Sequence, residues 1–279
     1  MKVREPAVAG TFYPGTPEKL RDLIAKLDTG KEKEHSELQD LEIIGGIVPH
    51  AGYIYSGNEA VHFFSQLTKN KNQYETVVIL NPNHQGNGPA YALDIHDYWK
   101  TPLGNFEIDH DLLSGMNIPE HEPAHRLEHS AEVMLPFLSY YLPYKIRILP
   151  VSMMRQNPEV AREIANILFH AVLKTNRKIL IIASSDFCHF VAPDTGYRLD
   201  SEVIDAILNL SVDSVYNRIV EKNITVCGYG PIMALMEYSM LSFKNTKVRV
   251  LARGNSAKSK PIDRVVDYVT ILFYLQKDQ

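Results

Sequence analysis

Ile43-Ile44-Gly45-Gly46-Ile47-Val48-Pro49-His50-Ala51-Gly52-Tyr53-Ile54-Tyr55-Ser56-Gly57-Asn58-Glu59 begins as an apolar run of strand length and then changes to a helical pattern. Ser56 and Glu59 have the spacing of a capping box opening a helix, after which Ala60, Phe63, Phe64 and Leu67 recur on one helical face. A strand followed directly by a helix is the unit of an α/β fold. The same order returns at residues 76–80, at 146–151 before an Asn157-Pro158 helix start, and at 178–184 before helical segments around 198–222. A first helix is announced by Thr16 and Pro17, with Leu20, Leu23, Ile24 and Leu27 at helical spacing. Residues 28–41, with Lys31-Glu32-Lys33-Glu34, read as a solvated connection. Tyr98-Trp99-Lys100-Thr101-Pro102-Leu103-Gly104-Asn105-Phe106 reads as a hairpin, and 247–253 with 264–273 as two β segments joined by a loop containing Gly254 and Pro261. The expectation is one α/β domain over residues 1–279, with a mixed, mostly parallel central sheet flanked by helices.

Composition bounds the function. The 279 residues are 45% hydrophobic and 22% charged, enough for a substantial core. The balance of 29 basic against 33 acidic side chains gives a net charge of −4, and no segment interleaves basic with aromatic residues, so nucleic acid is not an expected partner. The amino terminus shows no secretory signal pattern, and the longest apolar run, at 265–275, is interrupted by Asp267 and too short to span a bilayer. No membrane insertion is expected. Two cysteines, Cys188 and Cys227, do not make a disulfide scaffold in a chain of this length, which points to reduced thiols in a cytoplasm. No dinucleotide fingerprint, Walker lysine or nucleophile elbow is present.

In open α/β sheets, ligands bind beyond the carboxyl ends of the strands. Three of the four apolar runs end near histidine: Pro49-His50, Asn81-Pro82-Asn83-His84, and Ser185-Asp186-Phe187-Cys188-His189. The fourth ends in Ser152-Met153-Met154-Arg155. Neutral imidazoles from adjacent loops can hold a metal and leave room for a third ligand and for substrate. Cys227, just before a helix that Pro231 can open, is either that ligand, its thiolate favoured by the helix terminus, or a small buried hydrophobe. Asp186 and His189 are the candidate acid/base pair, with the carboxylate orienting the imidazole or helping to hold a metal. His129 and Glu132, three residues apart, suit a supporting role behind metal ligands or a capping arrangement. Tyr53, with Tyr55, Ser56 and Gly57, could place a phenol and a helix terminus in the same cleft.

The segments Arg4-Glu5-Pro6-Ala7-Val8-Ala9-Gly10-Thr11-Phe12-Tyr13-Pro14, Pro49-His50-Ala51-Gly52-Tyr53, Asn81-Pro82-Asn83-His84, Glu128-His129-Ser130-Ala131-Glu132, Ser184-Ser185-Asp186-Phe187-Cys188-His189 and Cys227-Gly228, in this order, resemble the Memo family, also known as AmmeMemoRadiSam system protein B. That family is similar in fold to class III LigB-type extradiol dioxygenases. The resemblance implies a non-haem iron or copper site, zinc being the alternative, with His50, His84 and Cys227 as ligands. It also implies that Asp186 and His189 line the cleft, His189 at the position of the dioxygenases' acid/base histidine. Where those enzymes have a carboxylate ligand this chain has a cysteine, a softer donor that suits Cu(I), Zn or an iron site tuned away from extradiol chemistry.

The expected function is a metal-dependent oxidoreductase acting on an unknown small molecule. One alternative is a non-catalytic protein that carries metal or recognises a peptide or protein partner. The other is a zinc-type hydrolase, in which three ligands leave a position for an activated water.

Overall fold

The computed structural model describes residues 1–29, 38, 41–68, 73–258 and 262–276. Most of the charged connection expected at 28–41, including Lys31-Glu32-Lys33-Glu34, lies outside the described residues, as does Pro261 of the last loop. Along the chain run β1 (Val3–Arg4), α1 (Pro17–Asp28), β2 (Glu42–Val48), α2 (Tyr53–Thr68), β3 (Thr76–Pro82), β4 (Tyr91–Leu93), β5 (Tyr98–Thr101) and β6 (Gly104–Ile108). There follow α3 (His110–Ser114), α4 (Pro123–Arg126), a short 3-10 turn at Glu132–Met134, α5 (Leu135–Tyr141), β7 (Arg147–Met153), α6 (Pro158–Thr175), β8 (Ile179–Ser184) and β9 (His189–Val191). The chain ends through α7 (Pro193–Leu208), α8 (Val212–Lys222), α9 (Tyr229–Ser242), β10 (Thr246–Asn255), a 3-10 turn at Ser256–Lys258 and β11 (Val265–Leu275).

Among the described residues the strands form one sheet in the order β1-β5-β6-β7-β3-β8-β2-β11-β10, with β4 on β7 and β9 on β11. The run β6-β7-β3-β8-β2 is parallel throughout, and β11 and β10 add to it antiparallel. The mixed, mostly parallel sheet expected from the sequence is therefore observed. The segment around Pro102 is the antiparallel β5–β6 hairpin, turning between Thr101 and Gly104.

The connections explain the layers. From β2 through α2 the chain crosses over β8 to reach β3, whereas from β7 through α6 it crosses over β3 in the opposite sense to reach β8. Right-handed crossovers then put α2 and α6 on opposite faces. Accordingly α1 and α5 pack with α2, while α3, α8 and α9 pack with α6 or its neighbours. The central strands are buried on both faces, which is why they read as continuous apolar runs. Gly46 lets α2 come down on β2, since a Cβ there would overlap the Phe63 ring and the Ile271 carbonyl.

The helix after β2 differs from its expected start. Helix α2 begins at Tyr53, and its first turn closes on the Gly52 carbonyl, with Ser56 N donating to Gly52 O at 3.1 Å. Ser56 and Glu59 therefore lie inside the helix and form no capping box. Ser56 Oγ donates to Ala51 O (3.0 Å), and buried Glu59 accepts from Lys258 Nζ (2.6 Å). Asn157 does act as a cap, its Oδ1 accepting from Val160 N at 2.9 Å before Pro158 opens α6. No helix among the described residues is long and apolar enough to cross a membrane.

Candidate metal centre

Strand β8 lies between β3 and β2, so the carboxyl ends of these three strands are neighbours. That register brings together His50 after β2, His84 after β3, and the Ser185–His189 stretch after β8, although they are far apart in sequence. Cys227 comes from a different direction, just ahead of α9. Gly228 makes the approach possible, because a Cβ there would overlap the Ser184 carbonyl and the Ser185 side chain. One donor atom each from His50, His84 and Cys227 lies within 4.8 Å of the others, and His50 Nε2 is 3.2 Å from Cys227 Sγ.

Hydrogen bonds fix which nitrogen each imidazole presents. Ser184 Oγ donates to the Ser130 carbonyl at 2.7 Å, so it accepts from His50 Nδ1, also at 2.7 Å. His50 thus carries its proton on Nδ1 and keeps the Nε2 lone pair facing Cys227. Burial and the neighbouring imidazoles hold the His50 pKa well below the ordinary histidine value, so the ring is neutral at pH 7. His84 Nδ1 donates to Glu128 Oε1 (2.9 Å) and its backbone N to Glu128 Oε2 (2.7 Å). This again turns Nε2 away from the acceptor; against the effect of burial, Glu128 and Asp186 raise the His84 pKa, so a metal at Nε2 competes with a proton there. The Glu128 carboxylate also accepts from Ser130 N (3.0 Å) and Ser130 Oγ (2.7 Å). Burial alone would raise its pKa, but His84, His129 and Ser130 together outweigh burial and bring it down to about 2.

Cys227 is half-buried and receives the Asp186 backbone N–H at its sulfur, 3.2 Å away. Burial and the nearby Asp186 carboxylate push the thiol pKa far above its ordinary value, which overrides the helix-terminus effect expected from the sequence. A cation at the site supplies the charge that would make the thiolate stable. Two imidazoles with free Nε2 atoms, each oriented by an acceptor behind it, and one thiol that needs a positive partner form a donor set that fits iron, copper or zinc.

Asp186 and His189 sit beside these groups in different roles from each other. Asp186 Oδ1 accepts from His50 N (2.8 Å), and burial raises its carboxyl to about 6. It braces the His50 loop. The expected orientation of His189 by Asp186 is replaced by Thr225, whose carbonyl accepts from His189 Nδ1 (2.7 Å) and whose Oγ1 accepts from His189 N (2.7 Å). His189 therefore also presents Nε2. His129 stacks on His84, with ring centroids 4.9 Å apart, and stands 5.4 Å from the His50 ring.

Two residues expected near the cleft are elsewhere. Tyr53 is buried, stacked on Phe137, with its hydroxyl donating to Val133 O at 2.7 Å, so it packs the core, and Tyr55 lines the cavity instead. Glu132 is buried away from the donors, where it pairs with Arg4 Nη1 (2.7 Å) and accepts from Ala7 N, Val8 N and Tyr13 Oη. Arg4 in turn donates to the His125 and Glu128 carbonyls and stacks on Trp99. The ion pair thus anchors the amino-terminal segment, which brings Phe12 to 4.7 Å from the His129 ring.

The cavity above the donors measures about 530 Å³ and is walled by Phe12, Tyr55 and Phe190, with His189 and Arg264 also lining it. Phe190 is 67% exposed and has φ of +58°, a left-handed conformation uncommon for a bulky side chain. Glu128, Ser184 and Thr225, which orient the three imidazoles, were not singled out by spacing. Glu128 had a signal, its place beside His129, whereas Thr225 had only its nearness to Cys227 in the chain.

A family model described as Memo-like protein matches residues 4–272. A MEMO1 family protein of Methanosarcina mazei is 38% identical over 276 residues, 98% of this chain and 99% of that protein. One from Methanococcoides burtonii is 39% identical over 274 residues, 97% of this chain and 99% of that protein. Among solved structures, the uncharacterized protein JW3007 from Escherichia coli K12 is similar with a TM-score of 0.51 and 11% identity, covering 82% of this chain and 99% of that one. That likeness concerns the fold.

Proposed function

The chain belongs to the Memo family, and from that membership and the donors at the sheet edge we propose that it is a metal-dependent oxidoreductase acting on a small organic molecule, with iron or copper held by His50, His84 and Cys227. The observation that carries this reading is the orientation of His50 and His84. Both have Nδ1 committed to an acceptor behind the ring, so both turn Nε2 toward the half-buried Cys227 thiol, His50 Nε2 standing 3.2 Å from its sulfur.

When bound, the ion supplies Lewis acidity and, as iron or copper, one-electron chemistry. The protein's own groups do the rest. His189, with its Nδ1 proton engaged by Thr225, takes up a proton from substrate at Nε2 and returns it later. Asp186, whose carboxyl titrates at about 6, is a second group able to exchange a proton near neutral pH. Phe12, Tyr55 and Phe190 offer flat apolar walls that exclude water and position the substrate.

The test is His189→Ala, assayed with phenols and thiols under dioxygen together with metal analysis. Turnover should fall by about 100-fold or more, with metal content unchanged. Wild-type turnover in the variant would contradict the role given to His189. Saturable peptide binding without turnover would favour a carrier or recognition protein, and a strong preference for zinc with hydrolysis would favour a hydrolase.

A further inference from the structure

Cys188, between Asp186 and His189 in the chain, belongs to a second cluster that the metal centre does not use. It is fully buried, and its N–H donates to Asp200 Oδ1 of α7 at 3.1 Å. Asp267 of β11 clamps the same stretch through its backbone, donating to Cys188 O (2.8 Å) and accepting from Phe187 N (2.9 Å). One donor atom each from Cys188, Asp200 and Asp267 lies within 4.8 Å of the others.

The two carboxylates lack the partners that buried acids need. Asp200 and Asp267 are 1% and 5% exposed, yet neither Asp200 Oδ2 nor Asp267 Oδ2 has a partner with good hydrogen-bond geometry among the described residues, and the side chains that face Asp200 are the Cys188 thiol and Asp267 itself. Both residues line a cavity of about 340 Å³, where the Arg253 charge acts on both carboxyls from a distance while the hydrogen bonds of the cavity's two cations go to other groups. The Arg253 guanidinium stacks on Tyr197 and donates to Ser201 Oγ (3.0 Å) and Tyr197 O (2.9 Å), while Lys258 Nζ is held by Glu59 (2.6 Å). Two adjacent buried carboxylates cannot both ionise without a countercharge.

We propose that Cys188, Asp200 and Asp267 form a second cation site, for a divalent ion that accepts mixed sulfur and oxygen donors, such as zinc or cobalt(II), and that the ion braces the stretch carrying Asp186 and His189. One thiolate and two carboxylates leave a fourth position for water, reached through the cavity. A proton competes for this position, since burial and Asp200 raise the Asp267 carboxyl to about 8.

The site is separable from the first centre by the full-length Cys227→Ser variant, titrated with cobalt(II) without oxygen. Whatever remains at His50 and His84 gives no thiolate band, so a thiolate-to-cobalt absorption in this variant reports Cys188. The expected result is such a band saturating at one equivalent and a rise in Tm of several degrees on loading. Both should be lost when Cys188→Ser is added. Should that double variant fail to fold, Asp267→Asn in the Cys227→Ser background keeps the shape, and cobalt(II) affinity should fall at least about tenfold. A folded Cys227→Ser protein without a thiolate band would overturn the proposal and leave Asp200 and Asp267 sharing a proton. Unchanged affinity in the Asp267→Asn variant would overturn it as well.

Discussion

Glu128 decides how His84 faces the centre. Its buried carboxylate accepts from the backbone N and Nδ1 of His84 and from both donors of Ser130. Glu128→Gln keeps the shape but replaces one acceptor by an amide nitrogen, so the His84 tautomer is no longer imposed. Affinity for iron(II) or copper(I), measured by chelator competition, should weaken by about 10- to 100-fold while the circular dichroism spectrum is retained. Unchanged affinity would mean that Glu128 does not position a ligand. The three-residue spacing from His129 points instead to Glu132. That spacing defines a common face only on an α-helix, and here the chain passes a turn at 130–131 before the 3-10 turn at Glu132–Met134. Thr225 was likewise invisible, because an exposed threonine that orients His189 through its carbonyl leaves no side-chain signature.

At the scale of elements, the amino-terminal segment is held by the Arg4–Glu132 pair, whose side chains are 1% and 0% exposed. Breaking such a pair strands a buried charge, so Glu132→Ala should cost about 3–5 kcal/mol, read as a lower urea midpoint, and should loosen the Phe12 wall. A cost below about 1 kcal/mol, the range of an exposed pair, would show that the pair is not what fastens the segment. The strands β2, β3, β7 and β8 were legible because burial on both faces writes a continuous apolar run. The start of α2 was not, since closure on the Gly52 carbonyl needs no capping side chain and the Ser56–Glu59 pattern suggested a later start.

For the molecule as a whole, the order β3-β8-β2 is what makes one site from three distant histidine-bearing loops. The alternation of strands and helices showed that such an edge exists, and the polar residues after each run showed which loops matter. Pairing order is not written in local periodicity, however. Nor is the arrival of Cys227, which depends on the close contact of Gly228 with Ser184 and Ser185 across the interior. The resemblance of the motifs to the Memo family supplied that ligand where spacing left it open. The proposed redox metal on His50, His84 and Cys227 is checked by metal analysis of protein purified without oxygen or chelator, comparing wild type with Cys227→Ser and His50→Ala. Near-stoichiometric iron or copper is expected in the wild type, with loss in both variants. A metal-free wild type that also fails to bind added iron(II), copper(I) or zinc(II) would contradict it.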